Sequence, residues 1–361
     1  MKKKINFIWL LSFFLMQSCN AENKPATHNI NLSEQTPNKQ VVETKEDSKW
    51  SVSIAAVGDI MLGSGYPSEA YLPPDCGESL IDAAVELLQS ADITFGNLEG
   101  AILDKGKPAK AGGKNSYAFR MRECAVGVLA NAGFDVVNIG NNHSYDFGAA
   151  GQNNAMKVLD EHKIKYVGLE LARSAIIEKD GKKIAFIGFA NSAHTLRMTD
   201  IENAKKLVRE LKENADIVVV SFHGGAEGQK YKHVTKQTET FLGENRGNPY
   251  LFSHSLIDAG ADLIIGHGPH LPRAAEIYKN RIILYSLGNF CTYKQFGLGG
   301  SNSFAPVAFC TLNENGEISD YKIHSFLQEK PGILRKDPDN NAEKEIFRLS
   351  KEDFPESGIS R

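Results

Sequence analysis

Three short apolar runs, each followed directly by histidine or by a turn that carries one, constrain this chain more than any other feature. Residues 135–140 lead into Asn141-Asn142-His143, residues 217–222 into His223-Gly224-Gly225, and residues 263–266 into His267-Gly268-Pro269-His270. A short apolar run bounded by turn signals reads as a buried strand. In an open α/β sheet, ligands gather beyond the carboxyl ends of the strands. Two further strand ends carry acids: Gly58-Asp59 after residues 54–57, and Asn97-Leu98-Glu99 after residues 93–95. Five strand ends can therefore deliver oxygen and nitrogen donors to one place, which predicts a metal site, for two ions.

The surrounding pattern supports such a sheet. Helical spacing predicts helices over 80–90 (capped by Ser79), 123–132, 149–162, 201–214 (capped by Asp200) and 250–259. Strands are expected at 51–57, 92–95, 135–139, 165–167, 183–189, 217–222 and 263–265, then at 281–285, 307–312 and 321–326. Alternating strands and helices argue for an α/β fold with a largely parallel sheet and β-rich additions toward the end. One domain over 50–330 is expected, with a mobile Gly/Lys-rich loop at 104–115 and no internal repeat. Residues 331–361 read as a polar C-terminal tail with a frayed helix around 341–350.

The first residues read differently. Lys2-Lys3-Lys4 precede an apolar stretch, 5–16, that is short for a membrane span, and Met16-Gln17-Ser18-Cys19 resembles a bacterial lipobox. Residues 1–19 are thus expected to be a lipoprotein signal peptide, with Cys19 as lipid anchor and 20–49 as a flexible polar tether. Several acyl chains, each contributing about 0.8 kcal/mol per buried CH₂, would anchor stably. The expected location is the cell envelope, on a membrane facing the periplasm or exterior. Four cysteines remain, Cys76, Cys124, Cys291 and Cys310. One disulfide and buried free thiols both stay open. The formal net charge of -3 and the lack of a basic block give no reason to expect nucleic acid.

The donors suit a hard or borderline cation. Carboxylate, amide and imidazole ligands fit Mn, Zn, Fe or Mg, and the absence of paired thiolates argues against structural zinc. His143 is placed to face a substrate, with Asp146 orienting its ring. No nucleophile elbow, P-loop or dinucleotide fingerprint occurs.

Taken in order, Gly58-Asp59, Asn97-Leu98-Glu99, Asn142-His143 with Asp146-Phe147-Gly148, His223-Gly224, Gly266-His267-Gly268-Pro269-His270 and 286–290 resemble the bacterial capsule-synthesis (CapA, PGA_cap) family of the calcineurin-like metallophosphatase superfamily. That resemblance implies a four-layer sandwich of two mixed β-sheets flanked by helices. It implies Asp59, Glu99, Asn142, His223, His267 and His270 as ligands of two divalent metal ions, with His143 and Asp146 as catalytic residues. Asn97, Glu227 and Asn289 are expected to support the ligands. It also implies a role in capsule or poly-γ-glutamate synthesis, either as a hydrolase of a phosphoester or polymer bond or as a non-catalytic assembly or export factor. The expected partners are an anionic polymer or phosphoester and other capsule-synthesis proteins. Four positions depart from the pattern. Met61 replaces a usual histidine, Asp146 lies three residues beyond His143, Gly225 replaces an aromatic, and Arg273 stands near a usual glutamine.

Overall fold

The computed structural model describes residues 50–109 and 117–359. The signal segment, Cys19, the tether of 20–49 and part of the Gly/Lys-rich loop lie outside the described residues.

Two mixed sheets face each other. The first has eight strands, and its main path runs β18 (Ile333–Lys336), β17 (Ile318–Glu329), β16 (Phe304–Asn313), β1 (Ser51–Met61), β2 (Ile93–Leu98), β5 (Val136–Asn138) and β6 (Lys165–Val167). Its eighth strand, β15 (Asn289–Thr292), pairs with the end of β1. The second sheet runs β13 (Ala275–Tyr278), β14 (Arg281–Leu284), β12 (Leu263–His267), β9 (Ile217–His223), β8 (Lys182–Ala190) and β7 (Ser174–Lys179). Two small ribbons complete the set, β3 (Ala101–Ile102) with β4 (Arg120–Met121), and β10 (Thr240–Phe241) with β11 (Glu244–Asn245).

Strand periodicity explains the layers, because alternate side chains of a strand buried on both faces enter different cores. Ile54 and Ala56 point between the sheets, as do Ile217 and Val219. Ala55 and Val57 turn outward against the helices α1 (Asp82–Gln89), α2 (Ala125–Asn131) and α3 (Gly148–Glu161). On the other side Val218, Val220 and Phe222 meet α4 (Ile201–Lys212) and α5 (Pro249–Asp258). Phe95 stacks on Phe186 across the central layer at 5.8 Å. This is the helix–sheet–sheet–helix sandwich that the resemblance implies. Asp200 caps α4 as expected, accepting from the backbone N–H of Asn203, whereas α1 begins at Asp82 without a side-chain cap.

Two expectations need correction. First, β1 does not stop at Val57 but continues to Met61 through a bulge between Asp59 and Ile60. Gly58 makes this possible, since a Cβ there would lie 2.2 Å from the carbonyl oxygen of Gly288. Second, 331–361 is not a tail. Ile333–Lys336 is an edge strand, and α6 (Asn341–Asp353) buries Ala342, Ile346, Leu349 and Ser350. Ala342, Ile346 and Leu349 fall four and three residues apart, so they form one apolar stripe under an otherwise polar helix.

Cys76 and Cys124 form a disulfide, while Cys291 and Cys310 are buried free thiols. The bridge ties residues 48 apart in sequence. Cys124→Ser is expected to cost about 2–4 kcal/mol through the greater freedom of the unfolded chain. Urea unfolding of the variant beside wild type checks this, and an unchanged midpoint would contradict it.

Candidate metal centre

The carboxyl ends of β1, β2, β9 and β12 meet at one point, joined by the loop that follows β5. Asp59 is fully buried where β1 lies between β2 and β15. Its Oδ1 accepts from Asn97 Nδ2 at 2.8 Å and lies 3.5 Å from His267 Nδ1, while Oδ2 lies 3.0 Å from His270 Nδ1. Asn97 also approaches His223 Nδ1 at 3.3 Å and accepts from Asn138 Nδ2 at 2.9 Å. Glu99 sits at the centre, with its Oε1 3.7 Å from His270 Nε2, 3.8 Å from His143 Nε2 and 3.9 Å from His223 Nε2.

A divalent cation fits these residues. Buried polar atoms normally find partners, yet both Glu99 oxygens, Asn142 Oδ1, His223 Nε2 and both ring nitrogens of His267 have none among the described residues. Donor atoms of Asp59, Glu99 and His270 lie within 4.8 Å of one another. The unpaired donors of Glu99, Asn142, His223 and His267, beside Asp59 and His270, make a set that suits a divalent metal ion.

Charge follows the same geometry. Burial, the largest influence on Asp59, would raise its pKa. The close approach of the His267 and His270 rings and the charge of His270 instead hold it below the usual carboxylate range. Burial pushes Glu99 well above that range, and the charges of Asp59, Glu227 and Asp146 add to this against His270. Burial keeps His223 neutral. It opposes charge on His270 too, but Glu99 and Asp59 outweigh it and carry that ring to about 10. The metal-free site therefore holds protons at pH 7 that a cation must displace. Loading should release at least one proton, so affinity should climb by roughly tenfold per pH unit for each proton released. Calorimetry in buffers of differing ionisation enthalpy measures this, and equal heats would contradict it.

His143 stands between the centre and solvent. Asp146 Oδ2 lies 2.7 Å from His143 Nδ1 and accepts from the backbone N–H of Phe119 at 2.8 Å. The ring packs 4.2 Å from Phe119, which leads through Phe296 to His270. A cleft of about 820 Å³ opens onto Asn142, His143, Asp146, Glu227 and Arg246. Glu227 pairs with Arg246 at 3.1 Å and lies 4.0 Å from His270 Nε2. Met61 is buried in the apolar layer beneath the helices. All the expected site residues that lie among the described residues, Asn289 included, are thus brought to one place. Sequence reasoning missed Phe119, Phe296, Asn138 and Asn302. Asn138 closes a strand and was legible by position, but nothing in the sequence marks the other three.

A family model described as bacterial capsule synthesis protein PGA_cap matches residues 53–294. The chain belongs to that family. The match covers β1 through β15 and so every candidate ligand. The capsule biosynthesis protein CapA of Bacillus anthracis is 28% identical over 269 residues, 69% of this chain and 61% of its own length. The PGA biosynthesis protein CapA of Bacillus subtilis is 29% identical over 316 residues, 82% of this chain and 77% of its own. Among solved structures, a 5'-nucleotidase precursor from Thermus thermophilus aligns with a TM-score of 0.42 at 14% identity, covering 77% of this chain and 54% of that one. No helix among the described residues is long and apolar enough to cross a membrane.

Proposed function

We propose that this PGA_cap protein is a metal-dependent hydrolase of the cell envelope, acting on a phosphoester or polymer bond in capsule or poly-γ-glutamate synthesis. The observation that carries the reading is the set of unpartnered, buried donors of Glu99, Asn142, His223 and His267 beside Asp59 and His270. Two divalent ions held by these residues would supply Lewis acidity at a phosphoryl or carbonyl oxygen and a clamp for an in-line displacement.

The chain's own residues do the rest. Asp146, fixed by the Phe119 amide, holds His143 Nδ1 and stabilises the charged ring. His143 Nε2 then carries the proton that passes to the leaving group, an oxygen for a phosphoester and a nitrogen for an amide. Phe119 and Phe296 keep water from the sides of the ring and of His270. Lipid attachment at Cys19 would hold the domain to a membrane through the tether. The anionic polymer or phosphoester, and other capsule-synthesis proteins, are its proposed partners.

Elemental analysis tests the reading on protein lacking residues 1–19, beside a His223→Ala/His267→Ala double variant. Two equivalents in wild type and loss in the variant are expected. No bound metal after incubation with excess Mn²⁺, Zn²⁺ or Fe²⁺ would sink the hydrolase and shift the role to polymer binding.

A further inference from the structure

On the two-ion reading, Asp59, Glu99 and His270, whose donor atoms lie within 4.8 Å of one another, would hold one ion, and Met61, buried among apolar neighbours, adds no donor to it. We infer that Asn289 supplies the missing donor, its side-chain oxygen binding metal beside Asp59 and His270. The inference rests on the two-ion reading and changes the role of Asn289 from support to ligand.

Strand pairing sets the position. β15 runs parallel to β1 with Asn289 opposite Asp59, and both residues are fully buried. The orientation of the amide is fixed by its neighbours. Nδ2 donates to the carbonyl oxygens of His270 at 3.2 Å and Asn302 at 3.1 Å, which can only accept. Oδ1 must therefore be the atom that faces His270 Nδ1, at 3.2 Å. Asp59 Oδ2 faces the same nitrogen at 3.0 Å.

Two oxygens thus converge on one ring nitrogen, which can carry a single proton. A hydrogen bond satisfies one of them. A cation among the three satisfies all, and donors at right angles around an ion at about 2.1 Å lie roughly 3 Å apart. The backbone is held for this arrangement. His270 has φ of 59°, a conformation uncommon outside glycine. Its carbonyl is gripped by Asn289 Nδ2 and by Asn302 Nδ2 at 2.8 Å, and Asn302 Oδ1 accepts from Gln229 Nε2 at 2.8 Å.

A positioning role alone would act through Nδ2, whereas ligation acts through Oδ1, and variants separate the two. Asn289→Asp keeps an oxygen and loses both Nδ2 donations. Asn289→Ala loses everything, and Asn302→Ala weakens the grip on His270 while sparing the oxygen. The experiment titrates the metal-free full chain with Mn²⁺ by calorimetry and with Co²⁺ by visible absorption. We expect two equivalents in wild type, Asn302→Ala and Asn289→Asp. In Asn289→Ala one equivalent should weaken by at least about tenfold, with a changed Co²⁺ spectrum, while the other stays put. Loss at a single equivalent also excludes misfolding, which would remove both. Wild-type binding by Asn289→Ala, or equal loss in the Asp and Ala variants, overturns the ligand role while two ions still bind. No binding by wild type overturns both readings.

Discussion

Replacing His143 with alanine is expected to lower turnover by roughly a hundred- to ten-thousandfold, the usual contribution of a positioned acid or base. Metal content should be unchanged, because His143 Nε2 lies 3.8 Å from Glu99 Oε1, beyond hydrogen-bond reach. The loss should shrink for substrates with acidic leaving groups, which need no proton as they depart. Asp146→Asn should produce a smaller loss, since an amide can still hold the ring but cannot stabilise its charge. Single-turnover rates on a pair of esters differing in leaving-group pKa measure this. An equal loss on both esters would remove His143 from the acid role.

The second large effect concerns stability. Arg273 and Glu239 form a buried two-pronged pair, with 2.9 Å for both Nη1–Oε1 and Nη2–Oε2. Arg273 Nη2 also donates to the carbonyl of Ala226, whose N–H donates to Glu239 Oε2. The pair therefore stitches the loop after His223 to the segment after His270. Gly225 makes room for it, since a Cβ there would meet Arg273 Nη1 at 3.1 Å. Glu239→Ala would leave a buried guanidinium without its counter-charge, and about 3–5 kcal/mol of destabilisation is expected. Glu239→Leu with Arg273→Met should recover most of that, because apolar replacement also removes the desolvation cost. Denaturant midpoints of single and double variants test this. A single-variant cost below about 1 kcal/mol, the range of an exposed pair, would show that the pair is not buried in solution.

The fold's centre was legible because strands buried on both faces leave continuous apolar runs, and β1, β9 and β12 are such runs. The candidate ligands were legible because each lies at or just beyond the carboxyl end of such a run, in β1, β2, β5, β9 or β12. Three features were not. The stripe of Ala342, Ile346 and Leu349 is masked by the charge between its members, so α6 read as frayed. β15 was hidden because Asn289 to Thr292 looks like a turn until β1 lies beside it. The partnership of Cys76 with Cys124 depends on a Cα–Cα separation of 5.8 Å that no spacing rule supplies.

The last helix has a consequence for the order in which the molecule can be completed. Ser350 Oγ accepts from the backbone N–H of Ala275 in the second sheet, while the N–H of Glu343 donates to Ser325 Oγ in the first. Ile346 enters the central layer and Leu349 the outer one. The two sheets are clasped along one margin by residues synthesised after every strand they join. A nascent chain still short of Ser350 carries that margin open, with apolar surface exposed and attractive to other chains. Completion of the sandwich therefore waits on α6, and anything that delays the docking of that helix prolongs the interval in which the domain is vulnerable.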